Sequence, residues 1–195
     1  MHTNFRPLAG SKPDRALVIN IFGGPGSGKS TIAGQIFTDL KQKGVEVANP
    51  EEQAKLAIWS NQAWLLDHQT ILLGRTWETI LARQDKVDVI VMDSPALLCS
   101  VYAGNREPSC FHALVADIHK RTDRINLFLM RDGLRTYSMN GRRETEQEAR
   151  ILDERIITTL DTHSEHYLKI ERGTTHLQAI TASILDHVHE MRMSA

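Results

Sequence analysis

Eight consecutive residues near the start of the chain have the types and spacing of a phosphate-binding loop. Residues 23–30 read Gly-Gly-Pro-Gly-Ser-Gly-Lys-Ser, which satisfies G-x-x-x-x-G-K-[ST], and they follow an apolar run at residues 16–22. Glycines at 23, 24, 26 and 28 give the backbone access to positive φ and let N–H groups approach the β- and γ-phosphates. The pattern predicts binding of a nucleoside triphosphate, although a glycine-rich turn with an incidental lysine would carry the same letters.

The polar residues of this loop have separate predicted roles. Lys29 supplies a point charge that can follow the γ-phosphoryl group during transfer, and the Ser30 hydroxyl stands at a helix N-terminus where it can ligate Mg²⁺. Thr31 is a candidate for contact with the α-phosphate. The residues predicted to bind the nucleotide are Gly24, Gly26, Ser27, Gly28, Lys29, Ser30 and Thr31.

A second candidate is Asp93, which follows the run Val-Asp-Val-Ile-Val-Met at residues 87–92. A strand there would bring its carboxylate to the rim beside the phosphate loop, where a Walker B aspartate belongs. Two roles are open: holding Mg²⁺, or accepting a proton from the acceptor hydroxyl during in-line transfer. The sequence Asp-Ser-Pro slightly favours the second role, and the remaining alternative is a helix cap before Pro95.

A third candidate is an arginine-rich segment at residues 131–143, which follows an apolar strand and precedes a helical sequence. Small phosphotransferases need arginines that reach the phosphates after substrate binds and exclude water, so we interpret this segment as a lid. Arg131 and Arg142 are the predicted catalytic arginines, and Arg135 is assigned to the acceptor side. The alternative is a solvated arginine loop.

The acceptor pocket is expected after the second strand, where amide, aromatic and charged residues occur together. An indole there could stack on a heterocycle while a glutamine reads its edge, but a tryptophan at helical spacing can also belong to the core. The residues predicted to bind the acceptor, besides Arg135, are Glu52, Lys55, Trp59, Gln62 and Gln69, with Asn61 and Trp64 nearby.

Strand-like and helix-like segments alternate along the rest of the chain. Helices are predicted at residues 30–43, 50–60, 62–84, 109–121, 144–162 and 175–191, with a helix or turn at 96–103. Strands are predicted at 16–22, 45–48, 87–92, 125–130 and 167–170. This alternation predicts an α/β fold: a three-layer α/β/α P-loop NTPase with about five parallel strands and ligands at their carboxyl ends.

Composition limits the class of protein. With 195 residues and 41% hydrophobic residues, we expect one P-loop domain at residues 16–195 after a flexible leader at 1–15. The 23 Lys and Arg residues against 24 Asp and Glu give a net charge of −1, which excludes a global basic field for nucleic acid. Cys99 and Cys110 are expected to be reduced thiols. We expect His68, His112 and His119 to face solvent or to pack against other residues. The protein is expected to be cytoplasmic, with no membrane segment.

Taken together, these segments resemble bacteriophage small P-loop kinases over residues 16–170, and are similar to nicotinamide riboside kinases and to nucleoside and nucleotide kinases. Some phage members are DNA kinases that phosphorylate 5-hydroxymethyluracil in phage DNA during thymidine hypermodification. The resemblance is carried by the phosphate loop, Glu52 with Lys55, Asn61-Gln62, Gln69, the Asp-Ser-Pro after the third strand, Tyr137 with Gly141-Arg142, and Thr145-Glu146 with Glu148-Ala149.

The resemblance implies that residues 26–31 contact the nucleotide and Mg²⁺ and that Asp93 is a general base or a metal ligand. It also implies that Arg131 and Arg142 belong to the lid. Residues 49–53 depart from the Thr-Glu-Tyr pattern of many relatives, which points to an altered acceptor side. Local positive charge is also expected where a DNA substrate would use it, from Arg142-Arg143 together with Lys120, Arg121 and Arg124.

Three functions follow as hypotheses, all using ATP and the first two requiring Mg²⁺ at Ser30 and Asp93. The leading one is an ATP-dependent kinase for the hydroxymethyl group of 5-hydroxymethyluracil in DNA, with the base flipped or single-stranded at the pocket. The alternative is a kinase for a free nucleoside, nucleotide or nicotinamide riboside, which near-neutral charge and small size support. The third is a regulatory ATPase switch, which would hydrolyse ATP without a phosphorylated product.

Overall fold

The computed structural model describes residues 16–131, 144–171 and 174–194. The predicted leader and the predicted lid arginines Arg135 and Arg142 lie outside the described residues. The strands are β1 (Leu17–Phe22), β2 (Val47–Ala48), β3 (Val89–Met92), β4 (Arg124–Leu129) and β5 (Leu168–Ile170). The helices are α1 (Lys29–Gln42), α2 (Gln53–Trp59), α3 (Gln69–Leu81), α4 (Leu98–Tyr102), α5 (Phe111–Lys120), α6 (Glu146–Thr162) and α7 (Thr174–Ser194), and a 3₁₀ helix covers Ala63–Asp67.

The strands form one parallel sheet with the order β2-β3-β1-β4-β5. The central strand β1 pairs with β3 at Ile19↔Val91 and with β4 at Ile19↔Ile125. All six residues of β1 are buried, as expected for a parallel strand covered on both faces. Because the carboxyl ends of parallel strands share one edge, the segments that follow β1, β3 and β4 meet there.

Helices cover both faces of the sheet. On one face α1 and α7 pack against alternate residues of the strands, among them Leu17, Ile19 and Ile21 of β1. On the other face, Phe22 and Phe128 pack against side chains of α3, α4, α5 and α6. This arrangement confirms the predicted three-layer α/β/α fold. Among the described residues, no helix is both long and apolar enough to cross a membrane.

The prediction of a single helix at residues 62–84 is wrong, because the helical conformation is interrupted at His68, between the 3₁₀ helix and α3. The Glu107 carboxylate accepts hydrogen bonds from the backbone N–H groups of Gln69, at 2.6 Å, and Thr70, at 3.2 Å, and so caps a new helix start. Leu81 in the last turn of α3 is 43% exposed.

A buried polar network lies between β1, β4 and the segment before β5. Arg124 donates to both carboxylate oxygens of Glu165 at 2.9 Å, and Asn126 donates to Glu165 at 3.0 Å. Asn20 donates to Asn126 at 3.0 Å, and His119 Nε2 lies 3.3 Å from a Glu165 oxygen. Because these groups bind one another, charges and amides can be buried without being left unpaired.

This network removes Arg124 from the predicted basic patch for DNA. Arg124 is buried and paired with Glu165, so its charge is not available to a phosphate backbone. Arg121 is exposed but pairs with Asp117, and it precedes β4 together with Lys120. The start of a parallel strand lies at the edge opposite its carboxyl end, so none of the three is beside the phosphate loop.

Candidate functional site

The phosphate loop connects β1 to α1 and takes the shape that its glycines permit. Gly23, Gly26 and Gly28 have φ of 144°, 75° and 99°, a region that L side chains rarely adopt. Gly28 immediately precedes α1, and its carbonyl accepts from the N–H groups of Thr31 and Ile32 as the helix begins. The loop therefore ends at a helix N-terminus, which favours an anionic ligand.

Gly24 is needed for a different reason than predicted, because its φ is not positive. A Cβ at Gly24 would lie 2.6 Å from the Ala149 carbonyl oxygen, 2.8 Å from Asp153 Oδ1 and 2.9 Å from an Arg131 guanidinium nitrogen. The backbone of α6 thus packs directly against the first turn of the loop.

Replacing Gly24 with alanine is expected to lower the free energy of unfolding by about 1–3 kcal/mol, because the α6 backbone must move to admit the methyl group. Gly34→Ala in α1 is the matched control, since a Cβ there meets nothing within 4 Å and alanine favours a helix interior by about 1 kcal/mol. Urea unfolding of both variants measures the difference. Equal stability of the two variants would contradict the close approach of α6.

Lys29 is the first residue of α1 and folds back over the loop. Its Nζ donates to the carbonyl oxygens of Gly23 at 2.7 Å and Gly24 at 3.2 Å. Burial lowers the pKa of Lys29, whereas Glu52, Asp93 and Asp153 act in the opposite direction and favour its charge. Three carboxylates from three separate segments therefore act on the lysine of the loop.

Asp93 follows β3 directly, as predicted, and its Oδ2 accepts a hydrogen bond from Ser30 Oγ at 2.7 Å. Asp93 is buried, while Ser30 in the first turn of α1 is exposed. A serine hydroxyl beside one carboxylate is a hard oxygen donor set, which fits Mg²⁺ that completes its shell with phosphate oxygens and water. Among residues 16–131, 144–171 and 174–194, no group of three His, Cys, Asp or Glu side chains could hold a metal by itself.

Asp153 and Arg131 form a contact that sequence reasoning did not find. Asp153 Oδ1 accepts from the backbone N–H of Gly24 at 2.5 Å, and its Oδ2 accepts from Arg131 Nε at 2.5 Å. Arg131 in turn donates to the Pro25 carbonyl oxygen at 2.8 Å. The predicted lid arginine Arg131 is thus bound to the phosphate loop and α6. Its catalytic role, like that of Arg142, stays a prediction.

The predicted acceptor residues separate into two groups. Glu52 immediately precedes α2 and is close enough to favour the charged form of Lys29. Trp59 at the end of α2 is 64% exposed, and Lys55 Nζ lies 4.6 Å from its ring centroid. Gln62 is exposed as well. Gln69 differs from the predicted base-reading role, because its side chain is buried and donates to the Leu66 carbonyl oxygen at 2.8 Å.

Several solved structures share this fold at low sequence identity. A NadR protein solved in complex with NR superposes with a TM-score of 0.58 at 17% identity, over 90% of this chain and 51% of that chain. The chain therefore spans about half the length of that NadR chain. Thymidylate kinase from Candida albicans gives 0.57 at 16% identity, over 91% of this chain and 93% of that chain. Thymidylate kinase from Ehrlichia chaffeensis gives 0.54 at 12% identity, over 89% and 98%.

These superpositions show that the chain shares the three-layer α/β/α P-loop fold of those proteins. No curated protein matches the sequence. The sequence itself matches a family model described as an AAA domain, AAA_28, over residues 18–177. That span includes the phosphate loop, Asp93, Arg131 and Asp153, and it covers most of the 195 residues. The chain therefore belongs to the AAA domain family AAA_28.

Proposed function

We propose that this protein is an ATP-dependent kinase whose acceptor is a hydroxyl group of a free nucleoside, a nucleotide or nicotinamide riboside. The observation that carries the proposal is the arrangement around Lys29, where Glu52 and Asp93 approach from two different strand ends. One carboxylate can help to bind Mg²⁺ while the other accepts the proton of the acceptor hydroxyl. The fold likeness to thymidylate kinases and to NadR in complex with NR supports a small acceptor.

The proposed roles follow from the contacts. Bound Mg²⁺·ATP would bring a partly neutralised triphosphate to this edge of the sheet. Ser30 and Asp93 would hold the metal, and Lys29 would stabilise charge on the transferring group. Because Asp93 already accepts from Ser30, we assign the acceptor proton to Glu52. The acceptor oxygen bonds to the γ-phosphorus, the bond to the β,γ-bridging oxygen breaks, and the hydroxyl proton passes to the carboxylate.

Trp59 and Gln62 are proposed to bind the acceptor without taking part in phosphate transfer. Trp59 exposes most of its indole at the end of α2, whose first turn follows Glu52. An exposed indole offers a face on which a nucleobase or nicotinamide ring can stack, and Lys55 already lies over the same ring. This arrangement would place a heterocycle on the Glu52 side of the phosphate loop.

The 5-hydroxymethyluracil DNA acceptor has less support. Of the basic residues expected to contact DNA, Arg124 is buried in an ion pair and Lys120 and Arg121 lie at the opposite edge of the sheet. The remaining candidates, Arg142 and Arg143, lie outside the described residues. A DNA acceptor is therefore an outcome that the experiment must be able to detect rather than the proposal itself.

The test is transfer of γ-labelled phosphate from Mg²⁺·ATP to separate acceptors. The panel contains thymidine and other nucleosides, thymidine monophosphate, nicotinamide riboside, 5-hydroxymethyluracil DNA and matched thymine DNA. Label in one or more small acceptors supports the proposal, and the acceptor with the highest kcat/KM names the substrate. Label in the modified DNA alone would overturn it in favour of a DNA base kinase. ADP release without a labelled acceptor would indicate an ATPase switch.

Two carboxylate variants separate the roles of Asp93 and Glu52. Asp93→Asn is expected to lower turnover about 100-fold and to raise the Mg²⁺ concentration needed for half-maximal rate, since the amide is a weaker metal ligand. Glu52→Gln is expected to lower kcat about 100-fold at every Mg²⁺ concentration while leaving Mg²⁺·ATP affinity unchanged. Glu51→Gln, an exposed neighbour, is the control. The reverse pattern would move the base role to Asp93.

A further inference from the structure

Both oxygens of the Asp153 carboxylate accept hydrogen bonds, one from the Gly24 N–H of the phosphate loop and the other from Arg131 Nε. Asp153 and Arg131 are both largely shielded from solvent, with side-chain exposures of 16% and 13%. A shielded charge-assisted pair is stronger than a surface ion pair, which contributes little because water screens it.

Arg131 completes a closed set of contacts around the first turn of the loop. Its guanidinium donates to the Pro25 carbonyl oxygen at 2.8 Å and reaches the Ala149 carbonyl oxygen at 3.4 Å. The N–H of Gly24 and the carbonyl of Pro25 are therefore both bound by one ion pair. A Cβ at Gly24 would clash with the Ala149 carbonyl oxygen, so α6 lies close against this segment.

The same stretch of α6 is also bound to the segment that follows Asp93. Arg155, two residues beyond Asp153, donates to the Val101 carbonyl oxygen in α4 at 2.6 Å. Helix α6 thus contacts the phosphate loop through Asp153 and the α4 segment through Arg155. Because both contacts lie on one helix, α6 links the position of the phosphate loop to that of the segment after Asp93.

We infer that Asp153 is a positioning residue for nucleotide binding, acting with Arg131 to hold the Gly24–Pro25 segment against α6. The inference deepens the proposed function and rests on it only for the kinetic readout. The Gly24 N–H, predicted to bind nucleotide, is donated to Asp153 instead. The remaining residues predicted to bind phosphate begin directly after this segment, so a shift of the segment would displace all of them. The affinity for the triphosphate then depends on a helix that supplies no proposed phosphate ligand of its own.

The first experiment measures binding of Mg²⁺·ATP and Mg²⁺·ADP by titration calorimetry to the full chain and to Asp153→Asn, Arg131→Gln and the double variant. The amide at 153 can still accept from Gly24 but places a donor against Arg131, so we expect affinity to fall about tenfold. The double variant should lose less affinity than the two single losses combined, because both substitutions remove the Asp153–Arg131 ion pair. Glu154→Gln, an exposed neighbour on α6, should bind as the unaltered chain does.

A merely structural role would give a different result. Asp153→Asn would then lower the melting temperature but bind both nucleotides with unchanged affinity where it is fully folded, and that outcome would overturn the inference. In the kinase assay, KM for ATP should rise with the loss of affinity while KM for the acceptor stays constant; a proportional rise in both would also count against it. Binding requires no phosphate transfer, so failure of the proposed function leaves this test intact.

Discussion

Lys29→Ala is expected to lower the rate of phosphate transfer roughly 100- to 1,000-fold and to weaken Mg²⁺·ATP binding as well. The Nζ of Lys29 already lies over the loop through its contacts with Gly23 and Gly24, so a short reorientation would bring it to a phosphate oxygen. Alanine removes the only side-chain charge that the motif itself supplies, and loss of a single preorganised donor has effects of this size. Single-turnover transfer and calorimetric titration measure the two effects separately.

The control for this variant is Lys43→Ala, which removes an exposed lysine just beyond the end of α1. Both substitutions change the net charge equally, so a difference between them reports position and not overall charge. Burial lowers the pKa of Lys29, while Glu52, Asp93 and Asp153 favour its protonated form. If Lys29→Ala kept more than a third of the original rate, the loop would not be the site of phosphate transfer.

Glu165→Gln should reduce the free energy of unfolding by about 3 kcal/mol and leave Mg²⁺·ATP affinity unchanged. The substitution leaves the buried Arg124 guanidinium without a counter-charge and disturbs the groups around His119 and Asn126. The network lies toward the sheet edge opposite the phosphate loop, so the loss falls on stability alone. Urea unfolding and calorimetric titration measure it, with Glu78→Gln on the exposed face of α3 as the control.

The same network makes stability depend on pH. Burial raises the pKa of Glu165, but the close contacts of His119 and Arg124 outweigh it and bring that pKa from 4.5 to about 2. An acid with a lowered pKa in the folded state stabilises the fold above its unfolded pKa, and that contribution is lost as pH falls from 4.5 toward 2. Burial lowers the pKa of His119 below its usual 6.5. As the pH falls below about 6.5, His119 is therefore protonated in the unfolded chain before it is protonated in the folded protein, and stability already declines there.

Unfolding free energies measured from pH 7 to pH 3 test this account. The unaltered chain should lose stability in both windows, whereas Glu165→Gln should be less stable at pH 7 and show a smaller decline below pH 4.5. Parallel curves for the two proteins would mean that Glu165 does not titrate as its surroundings require.

The parts of the site that could be predicted from the sequence are those formed by residues that lie next to one another in the chain. The phosphate loop carries its own pattern, and Asp93 follows an apolar strand, so both could be placed from local order alone. The buried, parallel sheet was predictable for the same reason, since its strands are short apolar runs between helical periods.

The parts that were missed depend on partners far apart in the chain. Asp153 binds the backbone N–H of a residue 129 positions earlier, and on α6 it reads as one more acidic residue of a solvated helix. Glu107 breaks the helix predicted at 62–84 from 38 positions away. Arg124 reads as part of a basic cluster, and only the position of Glu165, 41 residues later, shows that its charge is buried and neutralised.

The uneven exposure of the three tryptophans has an optical consequence. Trp59 and Trp64 are 64% and 55% exposed, whereas Trp77 packs against the core. The long-wavelength part of the tryptophan emission therefore comes from two water-exposed indoles, one of which is the proposed acceptor contact Trp59. A heterocycle stacked on Trp59 would quench that emission, and Trp59→Phe would remove the response without a cavity in the core. If the acceptor stacks on Trp59 as proposed, this emission reports its binding without a label and without turnover.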